Sequence, residues 1–350
     1  MNRKFAIYGV LAVIICLGIL VVSSSLKGDK KETVASNTPA DEEVMVIKLG
    51  HGSASSADDP YHYFATQFAK YVDEGTNSKV KIEIYPGGQL GGEMDSYEGL
   101  GHGTVDMCIA TANIFAEYYP KTQIMDLPFL FNDLNAAYTL LDSDLMTRLL
   151  DELGEKTGAV HLAWGSGGFR NIFNNVRPVY VTDDLKGVKI RVPETTIFVD
   201  TFKALGANVT PMTYSECYTA ISQGTIDGIE VPIGNGYTVG FYEVCKYYSL
   251  SGHFYNAYSM SISKALFDKL TPEVQNVLRT AAKKAGDEQR KFVEETMDKQ
   301  LETMKEAGLQ VNDIKNKDEW RAKCQSIYDN YKNNIDADVY TEAMEILGIK

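Results

Sequence analysis

The feature that most narrows the possible folds is an alternation of strand and helix signals that runs once from residue 44 and resumes after residue 160. Val44 to Leu49 is an apolar-rich run ending at Gly50-His51-Gly52-Ser53. Pro60 to Tyr71 carries Tyr61, Phe64, Phe68 and Tyr71 at helical spacing behind an Asp58-Asp59-Pro60 start signal. Val80, Ile82 and Ile84 alternate with Lys79, Lys81 and Glu83, the pattern of a half-buried strand, and Pro86-Gly87-Gly88 turns it. A helix from Glu93 to Leu100 and a strand from Val105 to Ala110 follow. After residue 160 the strand signals are Val160–Trp164, Lys189–Val192, Asn208–Pro211 and Thr225–Glu230, with helices at Thr195–Leu205 and Tyr214–Gln223. Such alternation means an α/β fold with a largely parallel sheet, whose strand ends line a ligand crevice.

From Pro272 to Ala307 the chain becomes long, charged and helical, with Val274, Leu278, Ala281 and Ala285 on one stripe, and a second helical stretch covers Asp318–Asn333. A chain of 350 residues exceeds the size at which one core keeps growing, so two domains are expected. The long helix would brace them.

The N-terminus reads as a targeting segment. Asn2-Arg3-Lys4 precede Phe5–Val22, a run without a charged residue that would span about 27 Å as a helix. Val22-Ser23-Ser24-Ser25 offers small residues for cleavage, so residues 1–25 are either a signal peptide or an N-terminal membrane anchor, and 26–43 a flexible linker. Either way the body lies outside the cytoplasm. Cys16 lacks the preceding small residue that lipid modification requires. Cys108, Cys217, Cys245 and Cys324 match no metal or redox spacing and read as buried free thiols.

The formal charge is −13, or −15 once Arg3 and Lys4 are removed with the leader. That balance excludes nucleic acid as a partner. It also means that an anionic ligand must be held by local cations. Two arginines are placed for this. Arg191 ends the run Val188-Lys189-Ile190-Arg191-Val192 before Pro193, a short strand whose last side chains project from a sheet edge. Arg170 follows Gly165-Ser166-Gly167-Gly168, a segment where backbone can approach a ligand closely. A guanidinium fixed on a strand grips a carboxylate through two parallel hydrogen bonds. A salt bridge to one of the many carboxylates is the competing reading for both arginines.

Other chemistries find no support. Gly87–Gly92 breaks the G-x-G-x-x-G pattern at Gln89, and no P-loop or G-x-S-x-G sequence occurs. The run is a strand-to-helix turn whose helix N-terminus could face a ligand. His51, His62, His102, His161 and His253 form no metal-ligand spacing, so no metal and no cofactor is expected. His51, at a strand end, is a candidate for ligand contact or for capping. Tyr214, following Thr210-Pro211-Met212-Thr213, is a candidate for stacking on a ligand. No nucleophile–base pair is favoured, so no catalytic residue is assigned.

Taken in order, YPGGQLGGE (Tyr85–Glu93), GTVDM (Gly103–Met107), LPFLF (Leu127–Phe131), GFRN (Gly168–Asn171), DLKGVKIRVP (Asp184–Pro193), LGANVTPMTYSECYTAISQGTIDGIEVP (Leu205–Pro232) and FYEVCKYYSL (Phe241–Leu250) resemble the substrate-binding subunit of TRAP (tripartite ATP-independent periplasmic) transporters, the DctP-like family. The resemblance covers about Val46 to Asn333. It implies a two-lobed periplasmic-binding-protein-like fold, type II-like with Venus-flytrap closure, and a long helix spanning both lobes. It puts lobe I at 44–167 plus about 256–296 and lobe II at 168–255 plus about 297–350. It implies a monomer that captures a small organic acid and delivers it to the membrane subunits of an ion-gradient-driven permease. In the resemblance Arg191 falls on the carboxylate-pairing arginine, Arg170 on a second pocket arginine and Tyr214 on an aromatic pocket position. Glu93 and Thr111 fall on the opposite wall. The family's D-G-x-E-N-P reads here Asp227-Gly228-Ile229-Glu230-Val231-Pro232, so Val231 removes a polar contact that Asn235 could supply. An α/β enzyme acting on a carboxylate and a ligand-sensing receptor domain are the alternative readings.

Overall fold

The computed structural model describes residues 44–349. The leader (1–25) and the linker (26–43) lie outside the described residues. Among those described, no helix is long and apolar enough to cross a membrane.

Among the described residues nine strands form one mixed sheet. They are β1 (Met45–His51), β2 (Val80–Tyr85), β3 (Met107–Thr111), β4 (Ala159–Asn174), β5 (Lys189–Val192), β6 (Asn208–Pro211), β7 (Gly228–Pro232), β8 (Tyr247–Ser263) and β9 (Gln310–Asp313). The order is β2-β1-β3-β8-β4-β7-β5-β6, with β9 beside β8. β1 runs parallel to β2 and β3, and β5 parallel to β6 and β7. The expected parallel sets are therefore present, but two long antiparallel strands join them. β4 and β8 pair from Ala159↔Ser263 to Asn174↔Tyr247. The second half of β8 also pairs with β3 and its first half with β9, while the last residues of β4 pair with β7. Two half-sheets thus share one long strand pair.

The Gly165–Gly168 segment, expected to let backbone approach a ligand closely, is the middle of β4. Its glycines serve close packing. A Cβ on Gly167 would lie 2.5 Å from the Tyr258 hydroxyl, and one on Gly165 2.9 Å from Gln289 Oε1. Gly168 adopts φ +80° where the ladder shifts register between Ser166 and Gly168, a bulge that suits glycine. Across this bulge lies the helix Pro272–Glu306, which Thr271 caps and Pro272 begins. A Cβ on its Gly286 would stand 2.4 Å from the Trp164 carbonyl oxygen, so the helix backbone lies against the strand. Gln289, fully buried, satisfies the bulge: its Oε1 accepts from Ser166 N at 2.7 Å and its Nε2 donates to Ser166 O at 2.7 Å.

The helix Pro60–Gly75 starts where Asp59 accepts from the backbone N–H groups of Tyr61 and His62. Its face of Tyr61, Phe64, Phe68 and Val72 is buried, and each large apolar side chain there contributes about 1.5–3 kcal/mol. The expected helix over 318–333 is two helices, Lys317–Lys323 and Gln325–Ile335, broken at Cys324. A further helix covers Ala337–Ile346. All four described cysteines are free and buried.

Candidate functional site

The carboxyl ends of the parallel strands in both half-sheets converge on one cavity. Tyr61 follows β1, Glu93 follows β2, and Thr111 ends β3. Arg191 lies near the end of β5, Tyr214 follows β6, and Val231, Pro232 and Asn235 come from the end of β7 and the helix after it. Arg170, in the second half of β4, and Asn256, near the middle of β8, complete the lining where the half-sheets meet. A neighbouring cavity, lined in part by Gly88, Gly92, Glu93, Arg191 and Tyr214, continues this space toward the Gly-rich turn. Switch points of this kind are where open α/β sheets place ligands.

The two arginines play different parts. Arg191 is 4% exposed, and its Nε and Nη2 both donate to the Met212 carbonyl oxygen at 2.8 and 2.5 Å. The other edge of the fork, Nη1 with the second hydrogen of Nη2, has no hydrogen-bond acceptor among the described residues. No carboxylate among them lies within ion-pair distance of it either. Contrary to expectation, β5 is an inner strand between β6 and β7, so Arg191 reaches the cavity from the end of its strand rather than from a sheet edge. The Tyr214 ring lies 5.8 Å from its guanidinium carbon, a cation–π contact.

Arg170 carries the competing reading instead. Its Nε and Nη2 donate to the two oxygens of Glu230 at 2.5 and 2.6 Å, its Nη2 also to the Glu230 carbonyl at 2.8 Å, and its Nη1 to Asn256 Oδ1 at 2.5 Å. Arg170 and Glu230 are 3% and 0% exposed. Burial alone would raise the Glu230 carboxyl pKa, but Arg170 and His253 outweigh it and hold it below the usual value. His253 in turn sits between Glu230 and Ser251, at 3.1 and 2.7 Å. Burial lowers its own pKa and outweighs the pull of Glu230. Arg170 therefore lines the cavity with its charge already matched.

On the opposite wall Glu93 is the first residue of the helix Glu93–His102, whose N-terminal dipole favours a carboxylate. Tyr61 Oη donates to its Oε1 at 2.5 Å and Thr111 Oγ1 to its Oε2 at 2.5 Å. Burial, and then Glu93, push the Tyr61 hydroxyl pKa far up, so it remains a donor. The helix N-terminus expected to face a ligand thus presents the protein's own carboxylate. Asn235 Oδ1 accepts from Tyr258 Oη at 2.6 Å, which leaves its amide N–H groups for the cavity. The Tyr214 hydroxyl is buried with no hydrogen bond of ordinary geometry to a described group, and burial raises its pKa. Val231 forms wall and belongs to the apolar cluster that includes Phe173, Ile229 and Phe241.

His51 lies outside the lining of both cavities. Its Nδ1 accepts from Ser53 N at 3.3 Å, its Nε2 faces His62 Nδ1 at 3.1 Å, and its ring stacks on Tyr61. Burial, helped by His62, lowers its pKa to about 3, so it is a neutral capping group one layer behind the site. Tyr61, Pro193, Pro232 and Asn256 are the lining residues that sequence reasoning missed. A signal for Tyr61 existed, because Asp59-Pro60 puts it in the first turn of a helix that leaves a strand end.

Residues 51–334 match the DctP family model, described as bacterial extracellular solute-binding protein, family 7. The chain is 37% identical over 263 residues to the 2,3-diketo-L-gulonate-binding periplasmic protein YiaO of Escherichia coli (strain K12), covering 75% of this chain and 80% of that protein. It is 28% identical over 322 residues to the C4-dicarboxylate-binding protein DctB of Bacillus subtilis (strain 168), covering 91% of each. Among solved structures it is similar to the sugar acid binding protein DctPAm from Advenella mimigardefordensis in complex with galactonate. The TM-score is 0.84 at 30% identity, over 87% of this chain and 98% of that one.

Proposed function

The chain belongs to the bacterial extracellular solute-binding proteins of family 7, and we propose that it captures a small organic acid by one carboxylate gripped on Arg191 and hands it to a TRAP permease. The observation that carries this reading is the state of Arg191. A buried cation without a counter-ion is costly. Here one edge of its fork is fixed on the Met212 carbonyl and the other is left open, the arrangement that suits a bidentate carboxylate. The names of the relatives, which bind a diketo sugar acid, C4-dicarboxylates and galactonate, support an organic acid as the ligand class.

In this reading Tyr214 packs against the bound acid, while Asn235, Thr111 and Glu93 meet its polar groups and Val231 its apolar edge. Arg170 supports the wall through Glu230. The site binds without converting its ligand. We further read the two half-sheets as lobes, 44–167 with about 256–296 and 168–255 with about 297–350, which close on the acid about β4 and β8. A ligand that contacts both favours the closed state by its differential affinity. Small-angle scattering is expected to show compaction on saturation, and an unchanged radius of gyration would count against closure.

The experiment for the function is a thermal-shift screen of organic acids, each paired with its neutral amide. A ligand that binds only the folded state raises the melting temperature by mass action. At least one acid is expected to do so while its amide does not. A panel in which no acid acts, or in which amides act equally, contradicts the proposal.

A further inference from the structure

Resting on the reading of this cavity as a carboxylate site, we infer that Glu93 makes it selective for acids with a single carboxylate and hydroxyl groups, and turns away acids with a carboxylate at each end. The charges that line the cavity number four with Glu230 counted. Arg170 and Glu230 cancel as a two-oxygen pair. That leaves Arg191 and Glu93, one cation and one anion on opposite walls. A monoanionic ligand set on Arg191 meets Glu93 with its far end.

Each Glu93 oxygen already accepts one hydroxyl hydrogen, from Tyr61 or Thr111, and keeps a lone pair for another donor. An ionised carboxylate is an acceptor only. It welcomes a ligand hydroxyl and repels a second carboxylate. Among the described residues no second free cation lines the cavity, since Arg170 is spent on Glu230 and Asn256. The Asn235 amide N–H groups add neutral donors, which suit hydroxyl oxygens. Rejection by an unpaired or like-charged contact is the usual source of specificity between ligands of similar shape.

The test uses matched acids that differ only at the far end, CH2OH against carboxylate: 4-hydroxybutyrate and succinate, erythronate and meso-tartrate, galactonate and galactarate. Calorimetric titration of the parent protein at neutral pH is expected to give at least 30-fold tighter binding of the hydroxy member in any pair that binds. Glu93→Gln, or Glu93→Ser should the first variant not fold, is expected to narrow that ratio below about fivefold. Equal or tighter binding of the diacid by the parent, or a ratio unchanged in the Glu93 variant, overturns the inference. Diacid binding that is lost in Arg191→Lys would leave the carboxylate site standing and remove only the role of Glu93. Silence of every pair and of the wider acid panel would remove both.

Discussion

Replacing Arg191 by lysine tests the grip on the ligand with the least disturbance. The charge stays, but a lysine ammonium is a single point donor and cannot present two parallel N–H groups. In the parent, the side-on edge of Arg191 holds the Met212 carbonyl and the end-on edge is open. Lysine must serve both needs with one nitrogen. At best it keeps one ligand bond and loses the other, and a hydrogen bond to a charged group is worth about 1.5–3 kcal/mol. That is a rise in Kd of about 10- to 150-fold, since 1.4 kcal/mol is tenfold. Titration calorimetry of parent and Arg191→Lys against the tightest acid from the screen measures it directly. The ligand-free variant should melt close to the parent, because no ion pair is broken. A Kd within threefold of the parent would refute the forked grip.

Three further outcomes follow from the geometry. Glu230→Gln leaves Arg170 buried without its counter-ion and is expected to cost about 3–5 kcal/mol in denaturant unfolding; a loss below 1 kcal/mol would mean that the pair is not closed as described. Asp126 is buried with an unpartnered oxygen, and burial, partly offset by Arg170, raises its carboxyl to about 8. A raised acid loses its stability contribution as pH climbs from the unfolded value near 3.8 to about 8, so Asp126→Asn should raise the melting temperature at pH 7 and leave it nearly unchanged at pH 4, while an equal effect at both would contradict the shift. Glu230, held below its usual value, contributes in the opposite sense, its share being present at neutral pH and fading below about pH 4.5. Gly286→Ala must push the long helix off Trp164 O and is expected to cost about 1–3 kcal/mol; a neutral effect would show that the helix has room to move.

What the sequence made legible was local. β1, β2, β5, β6, β7 and the long helix announce themselves by period, by caps and by Pro or Gly punctuation. β4 and β8 do not. Both are buried on nearly their whole length, so they lack the alternation that marks a half-exposed strand. The glycines of β4, read as letting backbone approach a ligand, are there because Gln289, Phe64, Tyr258 and Asn256 approach from other parts of the chain. The cavity lining was largely legible, because strand ends and the family motifs both point to it. The division of labour between its arginines was not. Arg170 and Glu230 are 60 residues apart in sequence, and only the β4–β7 pairing brings them together. Which of its two candidate roles His51 takes was not legible for a similar reason. Its strand does end at the site, but Tyr61 fills the place in front of it.

The most direct test of the account is an experimental structure of the protein with its tightest acid. The ligand carboxylate is expected on the open Nη1/Nη2 edge of Arg191, both oxygens within about 2.7–2.9 Å, with the Met212 bonds intact and a ligand hydroxyl on Glu93. A carboxylate bound away from Arg191, or an acid seated in another cavity, would contradict it.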